Sequence, residues 1–371
     1  MNKAINFTKN ISKIILFPVT KWHLYGMLAY LIERLGEEEF LSQSIIVYAI
    51  KHSEGGYLIS ESDMPYENLL LYEEDDLMVS NKCLFKMPLL LGNFVVKKHT
   101  ILALTANSLL LRKTLTSLSI KEIINNNIEV IAVDDGIGSY LSNRVWEKCS
   151  EAEGKAVCRD KIKKKLSKIL QNFFSFQEWH MLSNVNGQLK KMHVNGYATV
   201  IRHDISNSFS EQLDEFRQKY SNKKKVLLIT QPWSETQQMD QREEIEIIEN
   251  VVMKLKSRGY TIFIKKHPRE IEHKYNFNNV MILGGKYPAE FYFCLLSKED
   301  LVIGFNSTAL VNSALLFNLN TMTLANKVMD RNRDNMMEIA NREFLNLTSD
   351  FIKIYSEQWN MLRGENDFVR E

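Results

Sequence analysis

Apolar residues fall into short continuous runs, separated by stretches in which they recur with helical period. Residues 13–19 form such a run, and Trp22, Tyr25, Leu28, Ala29 and Ile32 follow at helical spacing, which predicts a strand and then a helix. Residues 44–50 and 128–133 read as further buried strands, with helical segments between them over 109–126. Residues 160–171 read as a basic amphipathic helix, and Phe173, Phe174, Phe176 and Trp179 as an aromatic stretch that packs it down. Beyond a polar stretch over 204–225 the alternation is cleaner. Strands are predicted at 226–230, 260–265, 280–283, 301–305 and 321–324, and helices at 243–258, 289–296 and 308–317. Such alternation argues for a parallel sheet wrapped by helices. The organisation read from it is a first domain over 1–205 carrying the basic helical insertion, and a connection over 206–224. A second domain follows over 225–345, then a helical segment over 346–371 that returns to the first domain.

Composition narrows this picture only slightly. A chain of 371 residues, 45% hydrophobic and 25% charged, is long enough for two α/β cores. The net charge of +2 makes no demand for nucleic acid. Cys83, Cys149, Cys158 and Cys294 lack metal-site spacing, and their scatter over a large chain reads as a reduced, cytoplasmic protein. Lysines precede Ile14-Ile15-Leu16-Phe17 in the manner of an export signal, but Pro18 and Lys21 end the run, so it reads as the first strand. No run reaches the roughly 20 apolar residues of a spanning helix, so membrane association is expected to be peripheral.

In open parallel sheets, ligands bind beyond the carboxyl ends of the strands. Thr230-Gln231-Pro232 follows the first strand of the second domain and His267-Pro268 the second. Gly284-Gly285-Lys286 and Glu290 follow the third, and Asn306-Ser307-Thr308 the fourth. All fall on one rim. Ser307 and Thr308 open a helix, where free backbone N–H groups, the helix dipole and two hydroxyls suit a phosphate. No Walker loop or dinucleotide fingerprint is present, and Gly284 and Gly285 leave room for a base or ribose, so a nucleotide-sugar fits better than ATP or NAD. In the first domain, Asp134-Asp135-Gly136 ends an apolar strand, and Trp22 and His23 follow another. Trp22 offers a stacking face to a sugar, and His23 or Lys21 can meet a carboxylate. Gln231 and Trp233 can line the nucleotide pocket.

Each feature also has a plain structural reading. Ser307 and Thr308 are ordinary helix caps, His267 a strand-end histidine satisfied by a carbonyl, and the acidic pair turn chemistry. Trp22 fits a core position, and Gln231 and Trp233 helix-start packing. The basic run Arg159, Lys161, Lys163, Lys164, Lys165 and Lys168 is a solvated helix face, or else contacts an anionic membrane or an acidic glycan.

Taken together, Val133-Asp134-Asp135-Gly136, Lys266-His267-Pro268 and Asn306-Ser307-Thr308 resemble the acidic, His-Pro and hydroxyl motifs of bacterial lipooligosaccharide sialyltransferases and capsular polysialyltransferases, in the same order. Tyr287-Pro288-Ala289-Glu290 resembles that family's segment placing a carboxylate near the ribose. The resemblance spans residues 13–325. It implies an α/β fold of GT-B type, two Rossmann-like domains facing a central cleft, with the acceptor on the first and CMP on the second. It further implies an inverting sialyltransferase that uses CMP-sialic acid and requires neither metal nor other cofactor. One of Asp134 and Asp135 would then be the base, His267 the acid or stabiliser of the departing CMP phosphate, and Ser307 and Thr308 its holders. Gln231, Pro268, Gly284 and Glu290 would contact the nucleotide, and Gly136, Trp22 and His23 the substrate.

The chemistry agrees with these residue types. An oxocarbenium-like transition state needs a base on the acceptor face and charge stabilisation on the phosphate face, and an imidazole can supply a proton or a cation near neutral pH. The chain also lacks an Asp-x-Asp motif. The expected acceptor is an oligosaccharide or glycolipid of the bacterial surface, in lipooligosaccharide, O-antigen or capsule, met in the cytoplasm or at the inner face of the membrane. Two other readings stand beside this one: a GT-B enzyme with a different nucleotide-sugar donor, and a non-catalytic glycan- or lipid-binding protein on the same scaffold.

Overall fold

A computed structural model describes residues 11–51, 59–78, 99–105, 128–134, 136–142, 145, 175–185, 188–236, 238–283, 287–328 and 336–355. The helices expected over 109–126 and 160–171, the basic run Arg159 to Lys168, Phe173, Phe174, Asp135, Gly284, Gly285, Lys286, Cys83, Cys149 and Cys158 lie outside these residues.

Two six-stranded parallel sheets organise the chain. The first consists of β1 (Ile11–Leu16), β2 (Ile45–Lys51), β3 (Leu69–Met78), β4 (His99–Thr105), β5 (Ile128–Val133) and β6 (Ser175–Trp179), in the order β3-β2-β1-β4-β5-β6. The second consists of β9 (Lys225–Ile229), β10 (Thr261–Lys265), β11 (Val280–Leu283), β12 (Leu301–Gly304), β13 (Asn320–Thr323) and β14 (Lys353–Ile354), in the order β11-β10-β9-β12-β13-β14. A small antiparallel hairpin, β7 (Leu182–Val185) and β8 (Gln188–Lys191), follows the first sheet. Both large sheets are doubly wound about their first strand, which places a topological switch point between β1 and β4 and another between β9 and β12. Ile14, Ile15 and Leu16 of β1 and every residue of β9 and β12 are buried, because inner parallel strands are covered on both faces. That double burial is why they read as continuous apolar runs.

Element ends follow local chemistry. Strand β1 stops at Leu16 rather than at residue 19, because Pro18 has no N–H for the ladder, although Phe17 N still donates to Ala103 O at 2.9 Å. The first helix, Lys21–Leu35, is capped by Thr20, whose hydroxyl accepts from His23 N while His23 Nδ1 accepts from Thr20 N at 3.1 Å. Helix Gln241–Ser257 starts before residue 243 because Asp240 accepts from Arg242 N at 2.8 Å. The described part of the aromatic stretch is strand β6. Phe176 lies opposite Val130 of β5, and Trp179 is buried between His193 and Tyr197.

The polar stretch joining the sheets is mostly helical, with helices Val194–Ser208 and Ser210–Tyr220. Leu213, Phe216 and Tyr220 make an apolar stripe at three- and four-residue spacing, enough to dock an otherwise charged helix. Phe209, between the two helices, meets the rings of Tyr287, Phe291 and Tyr292 edge-on at 4.7, 5.4 and 5.5 Å. Such pairs contribute roughly 0.5–1.5 kcal/mol each beyond burial. One buried cluster therefore runs from the first sheet through these helices to the inner face of the second sheet, while another fills the outer face of the second. Helix Met336–Thr348 packs against β8 and places Ile339 and Ala340 on Val145, and β14 then pairs with β13. Residues 346–371 thus supply the end of a helix and a short strand as far as residue 355. No helix among the described residues is long and apolar enough to cross a membrane.

Candidate functional site

Asp134 stands at the carboxyl end of β5, only 1% exposed. Five donors converge on its carboxylate. Oδ1 accepts from Trp22 Nε1 at 3.2 Å, Gly136 N at 3.2 Å and Tyr197 OH at 3.4 Å. Oδ2 accepts from Tyr140 OH at 2.6 Å and Met181 N at 2.9 Å. Tyr140 OH in turn accepts from Leu182 N at 3.0 Å. Burial, and then the charge of Asp134, hold the Tyr140 and Tyr197 hydroxyls protonated by raising their pKa well above the usual value. Gly26 of the first helix leaves the space that the Tyr197 hydroxyl fills. A carboxylate so fully engaged and so deeply buried organises its surroundings and has no free lone pair facing a cleft.

What it organises is a turn that crosses to the other half of the molecule. Gly136 has φ +79°, open to glycine and strained for other residues, and a Cβ there would collide with the Thr308 side chain. The next amide, Ile137 N, donates to Thr308 Oγ1 at 2.9 Å. Thr308 is the first residue of helix Thr308–Leu315, whose cap is Ser307, with Oγ accepting from Ala309 N at 3.2 Å. The acidic and hydroxyl motifs, 171 residues apart, are therefore in direct contact. Strand β12, which delivers Ser307, borders the switch point of the second sheet, where Thr230 and half-buried Gln231 end the neighbouring β9.

His267 follows β10 on the same rim. Its Nδ1 accepts from Arg269 N at 3.2 Å, which leaves the proton of the neutral ring on Nε2. Burial, and then the nearby cations Arg269 and Lys265, pull its pKa down to about 4. The imidazole is accordingly a neutral hydrogen-bond donor near pH 7. Its backbone is anchored from below by Glu270, whose Oε2 accepts from His267 N and Thr230 OH, both at 2.5 Å, and whose Oε1 accepts from Tyr275 OH at 2.6 Å. Lys274, with no exposed side-chain surface, lies 2.8 Å from Glu235, 2.7 Å from Glu244 and 3.5 Å from Glu270. Burial is the largest influence on Glu270 and raises its pKa despite these donors.

Glu290 is buried, and its Oε1 accepts from Asn312 Nδ2 at 2.7 Å, which ties it to the helix that Thr308 opens. Burial raises its pKa and lowers that of the neighbouring Lys265 to about 8. Pro268 is exposed on the rim, and Asp135 and Gly284 lie outside the described residues. Trp22 does not present a free face toward Tyr197, since it stacks on that ring at 4.7 Å while bonding Asp134. His23 is buried and belongs to the helix cap instead of facing solvent or ligand. Lys21 meets a carboxylate, but that of Asp204 at 2.8 Å, with Asp63 at 3.6 Å and the Phe291 ring at 5.0 Å. Trp233 is core, edge-on to Phe305 at 4.3 Å. Among the described residues, no group of three or more His, Cys, Asp or Glu is arranged to hold a metal ion.

The residues that sequence reasoning passes over are the supports: Tyr140, Tyr197, Glu270, Tyr275, Lys274 and Asn312. Glu270 alone carries a local signal, its spacing of three after His267 matching a carboxylate that reaches back to an amide. Tyr140, Lys274 and Tyr275 lie within a few residues of the groups they hold but at no spacing that announces the contact, and Tyr197 and Asn312 come from distant segments. The geometry brings together a Ser307-capped helix N-terminus, a neutral imidazole donor on the same rim, and an acidic loop clasped to that helix.

The family model for alpha-2,8-polysialyltransferase (POLYST) matches residues 96–326, more than half of the chain. Among solved structures, the chain is similar to the α/β-galactoside α-2,3-sialyltransferase of the luminous marine bacterium Photobacterium phosphoreum. Identity is 12%, with 93% of this chain and 99% of that one covered, at a TM-score of 0.52. It is also similar to UDP-GlcNAc 2-epimerase from Neisseria meningitidis bound to UDP-GlcNAc, at 9% identity, 92% and 86% coverage and a TM-score of 0.51. At such identities these likenesses speak to fold alone, and the fold is GT-B. No curated protein sequence matches the chain.

Proposed function

The chain belongs to the alpha-2,8-polysialyltransferase family, which makes it a sialyltransferase that works from a nucleotide-sugar donor on a glycan acceptor, and on that premise we propose an inverting transfer of sialic acid from CMP-sialic acid. The observation that carries the reading is the Ile137–Thr308 hydrogen bond at 2.9 Å, which puts the acidic loop of one half against the anion-binding helix of the other.

In this reading the CMP phosphate sits at the N-terminus of helix Thr308–Leu315, met by backbone N–H groups and the Ser307 hydroxyl. The neutral Nε2–H of His267 donates to the same phosphate. As the bond from the sialyl carbon to the phosphate oxygen breaks, negative charge builds there, and a donor already in place needs no reorganisation. The anion also raises the imidazole pKa from its value of about 4, so proton transfer becomes more favourable as the bond lengthens. On the opposite face the acceptor hydroxyl forms the new bond, and its proton passes to a carboxylate. We assign that base to Asp135, because Asp134 is committed to five donors and is 1% exposed. Asp134 then fixes the loop from which Asp135 works.

Gln231, Pro268, Gly284 and Glu290 border the nucleotide in this reading, with Glu290 set by Asn312. The reaction is proposed to proceed without metal, since helix N–H groups and imidazole supply the stabilisation of the leaving phosphate. The acceptor is proposed to be a bacterial surface glycan reached from the cytoplasmic face of the membrane. Incubation with CMP-sialic acid and a panel of glycan acceptors, with and without EDTA, tests all of this. Acceptor mass should rise by sialyl units in both conditions. Absence of both transfer and CMP release would rule the reading out, and loss of turnover with EDTA alone would remove its metal-free part.

A further inference from the structure

We propose that Thr308 is a positioning residue that couples occupation of the phosphate site to placement of the catalytic acidic loop. The inference rests on the donor reading above. A threonine hydroxyl has one proton to give and lone pairs to accept with. Thr308 Oγ1 accepts the Ile137 amide at 2.9 Å, which leaves its own O–H free to donate. Thr308 is also the first residue of the helix whose N-terminus receives the phosphate. The geometry therefore allows a chain of hydrogen bonds from Ile137 N–H through the Thr308 hydroxyl to a phosphate oxygen. In such a chain each bond polarises the next, so a bound anion strengthens the grip on the loop.

Packing adds a second constraint. Gly136 lies so close to Thr308 that a Cβ would collide with both its hydroxyl and its methyl group. Behind the turn, Asp134 accepts from Gly136 N at 3.2 Å. The turn is thus held on one side by Asp134 and on the other by Thr308, with Asp135 between Asp134 and Gly136 in the chain. A base must lie within hydrogen-bond reach of the proton it removes, so loss of one anchor reduces turnover more than donor affinity. A residue that only held phosphate would do the reverse, raising donor KM.

Thr308→Val keeps the shape and removes the hydroxyl, and Thr308→Ser keeps the hydroxyl. For the valine variant we expect kcat for sialyl transfer to fall about tenfold or more, with donor KM rising by a smaller factor for the lost bond to the phosphate, and the serine variant to recover most of the rate. Amide hydrogen exchange of the Ile137 segment reads the clasp without any turnover. Protection should be lost in Thr308→Val and kept in Thr308→Ser. Unchanged Ile137 protection in the valine variant, or a rise in KM with kcat intact, would overturn the proposal. If the wild-type protein releases no CMP, the donor reading fails by itself, and the exchange measurement still decides whether the clasp exists.

Discussion

Glu270 takes the main-chain N–H of His267 at 2.5 Å and, through the same oxygen, the hydroxyl of Thr230 at the end of the adjacent strand. The imidazole is thus set by a carboxylate that never reaches the cleft. Glu270→Ala strands the donors of His267 N and Tyr275 and leaves Thr230 only a longer bond to Lys265 O at 3.4 Å, while Lys274 keeps Glu235 and Glu244. We expect a stability loss of about 2–4 kcal/mol and at least a tenfold fall in kcat. Chemical denaturation and steady-state kinetics check both, and a variant with wild-type stability and rate would show that the turn holds itself.

The two aspartates of the acidic loop should separate cleanly. Asp134→Ala leaves Tyr140, Tyr197, Trp22 and two amides without their acceptor, so it should lower stability by about 3 kcal/mol as well as abolish transfer. Asp135→Ala should abolish transfer, by about 100-fold or more, and leave the melting temperature close to wild type. Transfer that survives in Asp135→Ala would return the base role to another group.

Acid should act on stability through His267. Its pKa is about 4 in the fold against an ordinary 6.5, so between those values the unfolded chain holds a proton that the fold does not. Stability therefore falls as pH drops through the window from 6.5 to 4 and is regained on the way up. Against His267→Gln, wild type should lose about 2–3 kcal/mol between pH ~7 and pH ~4, read by urea titration at each pH. A constant difference across the window would refute the assignment.

His267→Gln also probes the chemistry. A glutamine amide can replace a neutral Nε2–H donor, although it cannot deliver a proton. The glutamine variant should retain more transfer activity than His267→Ala, by roughly tenfold, if hydrogen bonding to the phosphate is the main contribution. Equal loss in the two variants would point to proton delivery instead.

The pattern of runs and periods was enough to read five of the six strands of the second sheet, because strands such as β9 and β12 are buried on both faces and leave an unbroken apolar signature, whereas β14 is two exposed residues long and leaves none. The rim was legible for the same reason: strand ends locate it. Asp134, His267, Ser307 and Thr308 could be placed there, but their partners could not. Tyr197 reaches Asp134 from 63 residues away and Ile137 reaches Thr308 across 171, and nothing in local spacing announces either contact. His23 shows the opposite failure, a histidine at an inviting position whose ring is spent on capping Thr20. Trp22 was placed beside the site, yet its indole N–H faces the buried carboxylate while its ring stacks on Tyr197.

Helix Met336–Thr348 gives the molecule a second tie. One end of this segment continues into β14 of the second sheet, while Glu343 accepts from Ser142 N at 2.7 Å and Ile339 and Ala340 press on Val145 beside the acidic loop. The halves are joined here as well as through the Phe209 region. A body hinged at one point can swing and twist freely, whereas one fastened at two separated points turns only about the line between them. Two separated fastenings therefore resist relative twist of the halves and keep the register between the two rims.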